Sequence, residues 1–416
     1  MKKIELPYGR GIVDLDLEEA QVLASLKPRE ETILGTSAIT KALANPVAQE
    51  PLEELLVTAM KVSILCSDIT RPAPTRQLIL PLLRLLEKAG IPDSQITLLF
   101  ALGTHRYQSD QEKIALLGPE ILRRYRTINS PEDGFIRLGN TRRGTQVELA
   151  RSVVEADLCL ATGNVELHYY AGYTGGAKAI FPGAASPISI CQNHALLLEP
   201  GAAAGICSGN PVREDLEEAV DFLSRVSILN VVQNERKEIV GAVSGDFREA
   251  HRQACRIADR LYKLPIRQQA DIVLASAGGF PKDLNMYQAH KALENARQAV
   301  KPGGIIVFLA ECPEGIGHPV FTRWLQEAES PAAILERFRR GFVFGGHLAA
   351  RIARIVQTVQ VYLISGMAPV DVRTLFFQPF QNPVEALQEA IKQQGGYAKI
   401  LCMPYAGSTL PYPSLE

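Results

Sequence analysis

Six apolar runs punctuate the chain, and each stops abruptly at glycine or a polar residue. They are VSILCSD (62–68), ITLLFALG (96–103), DLCLATG (157–163), DIVLASAGG (271–279), GIIVFLAE (304–311) and VQVYLIS (359–365). Most are near-continuous rather than alternating, the pattern of strands covered on both faces. Between them lie stretches of helical spacing. TRQLILPLLRLLEKAG (75–90) repeats Leu and Ile at helical intervals up to a glycine stop, and MYQAHKALENARQAVKPGG (286–304) runs to a Pro-Gly-Gly turn. Strand alternating with helix predicts an α/β protein with mostly parallel sheets. SILNVVQNERKEIVGAVSGD (227–246), two apolar runs around QNERKE, reads instead as a hairpin. LYKLPIRQQAD breaks a helix near 265–270. The expected division is therefore two α/β domains, an N-terminal one over 1–268 and a C-terminal one over 269–402. A tail over about 403–416 is expected to pack back on the first.

Composition narrows the picture by exclusion. A chain of 416 residues is too long for one ordinary core, which agrees with two domains. Its 44 basic and 45 acidic residues are interspersed, so there is no electrostatic footprint for nucleic acid or an anionic membrane. No window reaches the ~18 apolar residues of a membrane span. The opening MKKIELPYGRGIVDLDLEEA has two lysines but no apolar segment of a signal peptide. A soluble, cytoplasmic protein is the expectation. The seven cysteines include no CxxC pair and read as reduced, mostly buried thiols rather than a disulfide framework or a zinc site.

Ligands of open α/β sheets bind at the carboxyl ends of strands, and four unusual clusters fall there. SDITRPAP (67–74) supplies Asp68, Thr70 and Arg71, and GTHR (103–106) supplies His105. ELHYYAGYTGGAKAIFPG (166–183) carries His168, Gly175, Gly176 and Lys178. SAGGFPKDLNMYQAHK (276–291) carries Tyr287, Gln288 and Lys291. These segments could converge on an interdomain crevice. Each also has a structural reading: Asp68 and Thr70 as helix caps, His105 as hydrogen-bonded filler, Gln288 and Lys291 as a solvated i, i+3 pair. The GYTGGAK loop lacks the Walker spacing, and no GxGxxG opens a helix after a strand. Yet three of only seven histidines (His105, His168, His194) lie in or just after the second and third of these segments, with Arg71, Lys178 and Lys291 ready for an anion. Histidine moves protons near neutral pH and ligates metals. The residues alone predict an enzyme for a small anionic substrate, with one metal as an option.

Taken together, SDITRP, GTHR, H…GYTGGAKAIFPG, the downstream NHA and GGFPKDLNMYQAHKAL resemble the nickel-dependent lactate racemase family, in order along nearly the whole chain. The resemblance implies a racemase or epimerase of a small 2-hydroxy acid that carries a nickel-pincer nucleotide. This is a pyridinium mononucleotide with a thioamide and a thiocarboxylate (pyridinium-3-thioamide-5-thiocarboxylic acid mononucleotide), supplied by cofactor biosynthesis enzymes as transient partners. It implies Lys178 as the covalent tether, His194 as a nickel ligand, and His105 and His168 as the acid/base pair. Arg71, Gln288 and Lys291 would hold the substrate carboxylate or polarise the carbonyl. Asp68, Thr70, Gly175, Gly176 and Tyr287 would contact the cofactor, the glycines by letting backbone approach a flat ring. The sequence leaves open whether His290, Trp324 and Arg351 line the pocket, Arg351 being either a partner for a substrate tail or solvated. Two other readings stand beside this one: a metallohydrolase ligated by His105, His168 and His194, and a non-catalytic binder of the nucleotide or a hydroxy acid.

Overall fold

The computed structural model describes residues 1–71 and 73–413, so Pro72 of the SDITRP motif and 414–416 of the tail lie outside the described residues. The chain forms two compact units. A middle unit spans Glu30–Leu261, and a terminal unit joins Met1–Arg29 to Tyr262–Glu416.

The middle unit is built on a six-stranded sheet. Its order is Ile239–Gly245, Val226–Gln233, Leu158–Asn164, Val62–Cys66, Ile96–Phe100 and Arg126–Asn129. Every neighbouring pair is parallel except the first, which is the expected hairpin. Val62–Cys66 and Leu158–Asn164 are buried at every position, as their unbroken apolar runs require. Helix Thr75–Lys88 buries Leu78, Ile79, Leu82, Leu83 and Leu86, one stripe at helical spacing. That stripe packs with Ile64, Leu98, Leu160 and Leu229 of the sheet in one core.

The terminal unit repeats the architecture. Its six strands run Gln378–Phe380, Gln360–Ile364, Val300–Leu309, Ala270–Ser276, Ile400–Met403 and Val22–Ser25, all parallel. The last strand comes from the chain's beginning. The expected N-terminal domain over 1–268 is thus revised at its start: the first 29 residues belong with the C-terminal sheet. Ile4, Leu6, Leu15 and Leu17 of the opening hairpin share a core with Ile272, Ile305 and Ile400. The tail strand Leu410–Pro413 pairs in parallel with Lys263–Ile266 and stays in this unit. Helix Met286–Arg297 is shorter than the 286–304 pattern, because Val300 already pairs with Ala270. No described helix is long and apolar enough to cross a membrane.

Arg351 answers to neither of its two expected roles. It is buried on helix Gly346–Val356, where Nε and Nη2 donate to Glu294 Oε1 and Oε2 at 2.6 and 2.8 Å. Both side chains are only 8% exposed. Removing one member of such a pair leaves a charge buried, so Glu294→Ala is expected to destabilise the protein by about 3–5 kcal/mol. Chemical denaturation of wild type and variant checks this. His290 is buried as well, with Nδ1 bonded to the Tyr287 carbonyl at 2.7 Å. Trp324 is buried with the Arg337 guanidinium 4.3 Å over its ring.

Candidate active site

Two adjacent parallel strands of the middle unit, Val62–Cys66 and Ile96–Phe100, deliver the first cluster from their carboxyl ends. Asp68 is buried, and its carboxylate is fully engaged. Oδ1 accepts from the Thr70 amide at 2.8 Å and from its hydroxyl at 2.5 Å, while Oδ2 lies 2.9 Å from His105 Nδ1. Burial pushes the Asp68 carboxyl up, but the hydrogen bonds from His105 and Thr70 outweigh it and hold the group below the ordinary carboxylate range. An ionised carboxylate only accepts, so the His105 proton sits on Nδ1 and Nε2 keeps its lone pair. Arg71 Nη2 lies 3.3 Å from that Nε2, and Arg71 Nε lies 3.9 Å from Asp68. Carboxylate, imidazole and guanidinium are therefore wired together.

The glycine-rich segment follows strand Leu158–Asn164 of the same sheet. Leu167–His168 pairs with Gly172–Tyr173, and a single 3-10 turn, Gly176–Ala179, then carries Lys178. Three buried side chains form its floor. Arg213 donates to the carbonyls of Ala171 at 3.2 Å, Gly175 at 3.5 Å, and Tyr173. Asn230 Oδ1 accepts the Gly176 amide at 2.7 Å, and His251 Nε2 lies 2.8 Å from the Thr174 carbonyl. Gly175 and Gly176 have φ of +71° and +58°, open to glycine at little strain. A Cβ on Gly176 would meet the His251 ring at 2.6 Å, and one on Gly175 would meet Val165 at 2.6 Å. These glycines permit close approach to the protein's own floor.

Lys178 is the unusual group of this loop. The residue is half-buried, and the surroundings of the amine dominate it. Burial, then the charges of Arg71 and Arg213, hold its pKa well below the ordinary lysine value. A neutral amine is a nucleophile. The unfolded chain binds a proton there more tightly than the folded chain does, so the lysine lowers stability below pH ~10 and this penalty fades as pH rises toward the unfolded pKa. Lys178→Met is accordingly expected to stabilise the cofactor-free protein at neutral pH by roughly 1 kcal/mol, with less gain at pH ~10. Thermal melts at the two pH values check it.

The loop also gathers two histidines around one tyrosine. His168 meets Tyr170 edge-on at 4.4 Å between ring centroids, and Tyr170 meets His194 at 5.2 Å. His194 is buried on helix Pro187–Ala195, whose N-terminus is capped by Ser186. His168 Nδ1 accepts the Ala171 amide at 3.3 Å. The His105 loop is tied to the same segment, since the Gly103 amide donates to the Gly183 carbonyl at 2.8 Å. Arg71, close enough to perturb Lys178, completes the link. The middle unit alone thus brings together Asp68, Thr70, Arg71, His105 and Lys178, and sets His168 and His194 on one tyrosine.

Gln288, Lys291 and Tyr287 belong to the terminal unit, in the first turns of helix Met286–Arg297, capped by Asn285. Lys291 Nζ donates to Gln288 Oε1 at 3.1 Å, and the Tyr287 ring stacks on His318 at 5.4 Å. Sequence reasoning missed Arg213, Asn230 and His251. Arg213 sits in NPVREDLEEAV, where a charged residue reads as solvated face, and nothing local betrays that it is fully buried. His105, His168 and His194 do not form a metal cage: among the described residues, the one three-donor cluster is Cys207, His251 and Cys255.

Comparison with known proteins places this geometry. The Lactate racemase N-terminal domain model matches residues 8–205, and the Lactate racemase C-terminal domain model matches residues 266–409. The lactate racemase of Thermoanaerobacterium thermosaccharolyticum is 30% identical over 97% of this chain and 98% of its own length. That of Lactiplantibacillus plantarum is 28% identical over the same shares. The solved lactate racemase apoprotein of T. thermosaccharolyticum superposes with a TM-score of 0.91, covering 99% of this chain and 100% of that one. A Thermotoga maritima protein at 18% identity, TM-score 0.60, covering 89% of this chain and 99% of that one, shares the fold.

Proposed function

Because this chain belongs to the lactate racemase family, we propose that it inverts C2 of a small 2-hydroxy carboxylic acid, lactate or a close relative, through a 2-keto acid, using a nickel-pincer nucleotide tethered to Lys178. The family makes it an isomerase. The observation that carries the finer reading is Lys178: an amine whose pKa is held well below the ordinary lysine value by burial and by two arginines, in the same cluster as a carboxylate–histidine pair. That site fits the group in two ways. A neutral amine can form the thioamide link, and a buried imidazole at His194 suits nickel.

The Cα–H of a hydroxy acid is too weakly acidic to be removed easily at neutral pH, so inversion proceeds by oxidation and re-reduction. When bound, the cofactor supplies the hydride acceptor beside C2. His105 takes the hydroxyl proton at Nε2 as the carbonyl forms, and Asp68 stabilises the imidazolium that results. Arg71 grips the carboxylate or the developing carbonyl oxygen. His168 performs the same proton transfer for the opposite enantiomer. Its neutral ring, accepting from Ala171 at Nδ1, carries its proton on Nε2, so service as a base at Nε2 requires the other tautomer. Thr70 fixes Asp68 in this reading.

Chiral chromatography of a set of 2-hydroxy acids, incubated with chain co-expressed with the cofactor-making enzymes, tests the proposal. The expected result is interconversion of both enantiomers with deuterium at C2 retained in the product. Inversion with loss of that label to water would replace hydride transfer by proton abstraction.

A further inference from the structure

Beneath the Lys178 loop lies a second constellation that the proposed reaction does not use. Cys207 Sγ and Cys255 Sγ are 3.7 Å apart, and Cys255 Sγ is 3.6 Å from both His251 Nδ1 and His251 Nε2. All three ligand atoms lie within 4.8 Å of one another. We propose that Cys207, His251 and Cys255 form a second metal site, separate from His194, that binds one zinc-class divalent ion through two thiolates and one imidazole.

The spacing approaches that of a coordination shell. A tetrahedral ion with metal–sulfur bonds of about 2.3 Å and a metal–nitrogen bond of about 2.0–2.1 Å has sulfur–sulfur edges of about 3.7–3.8 Å and sulfur–nitrogen edges of about 3.5–3.6 Å. The sulfur–sulfur edge is already at that length, and because Cys255 Sγ lies equally far from both ring nitrogens, the His251 ring turns to bring Nδ1 onto the ion. His251 and Cys255 are four residues apart on helix Glu249–Tyr262 and share one face. Cys207 comes from the loop between Gly205 and Gly209, both at positive φ, and closes the third edge.

The surroundings favour these ligands. The Thr174 carbonyl can only accept, so His251 donates from Nε2 and presents the Nδ1 lone pair, the outer-shell arrangement metal-bound histidines use. Arg252 Nη1 contacts that Nδ1 at 3.3 Å, a long bond to displace, since Arg252 is anchored to Glu217 by two bonds of 2.7 Å. The hydrogen bond from Cys255, and then the charges of Arg252 and Arg213, favour the thiolate at Cys207, while burial pushes the Cys255 thiol up. Binding exchanges two thiol protons for one dication, so the net charge beside these arginines is unchanged. Cys207 is half-buried, which leaves a solvent side for entry and for a fourth ligand. His251 supports Thr174 and Gly176, so the ion would brace the floor on which Lys178 stands.

The test uses the full-length chain, reduced and stripped with chelator, then given zinc or cobalt and passed through gel filtration. One equivalent of zinc should be retained, and His194→Ala should retain it too. Cobalt should give a thiolate-to-metal charge-transfer band. Cys207→Ser, in the half-buried loop, should lose that band and weaken zinc binding at least about tenfold. It remains decisive even if Cys255→Ser fails to fold. Zinc retention unaltered by Cys207→Ser, no zinc retained by the reduced chain, or a Cys207–Cys255 disulfide forming in its place would each overturn the site.

Discussion

Lys178→Ala is expected to abolish turnover, and Lys178→Arg is expected to abolish it equally. The two variants differ in every respect but one. Alanine shortens the side chain and leaves a void; arginine keeps length and positive charge. Neither has a neutral amine. If Lys178 served as an anion grip, arginine would retain substantial activity, because its guanidinium binds carboxylates at least as well. If it is the covalent anchor, both fall to background, a loss no general acid/base substitution reaches. The loop itself should survive, since Arg213, Asn230 and His251 hold it from beneath. Unaltered circular dichroism and melting of Lys178→Arg, alongside absent turnover, check that the fold is not the cause.

Loss of the carboxylate–histidine pair gives the second large effect. His105→Ala and His168→Ala should each lower turnover by ~10²–10⁴, the usual value of a positioned acid/base. Asp68→Asn should approach the upper end. An asparagine amide that donates to Nδ1 leaves the His105 proton on Nε2, and the lone pair that accepts the substrate proton is gone. The corresponding change in a Ser-His-Asp triad costs about 10⁴ in kcat. Most of the loss should appear in kcat rather than KM, because Asp68 is buried behind His105. Enantiomers have equal free energy, so kcat/KM must fall by the same factor in both directions. Steady-state kinetics from each enantiomer check this, and full activity in any of the three variants removes that residue from the mechanism.

What the sequence disclosed followed from what is local. Continuous apolar runs gave the buried parallel strands, helical Leu spacing gave Thr75–Lys88, and polar clusters at strand ends gave Asp68, His105 and Lys178. What stayed hidden depends on distant pairing. Val22–Ser25 joins the C-terminal sheet because it pairs with Ile400–Met403, almost the whole chain away. Arg351 read either as a partner for a substrate tail or as solvated, and only folding brings it to Glu294, 57 residues earlier. Scattered cysteines hid the approach of Cys207 to Cys255 in the same way. Asp68 and Thr70 were visible as polar residues at a strand end. Their engagement with His105 could not be read from spacing, because it depends on two strands lying side by side.

The most direct test of the central claim is the mass of the intact protein, with peptide mapping, after co-expression with the cofactor-making enzymes. The account predicts an added mass of the size of a nickel-pincer nucleotide, on the peptide containing Lys178 and absent from Lys178→Ala. An unmodified Lys178 in protein that nonetheless inverts a 2-hydroxy acid would contradict it.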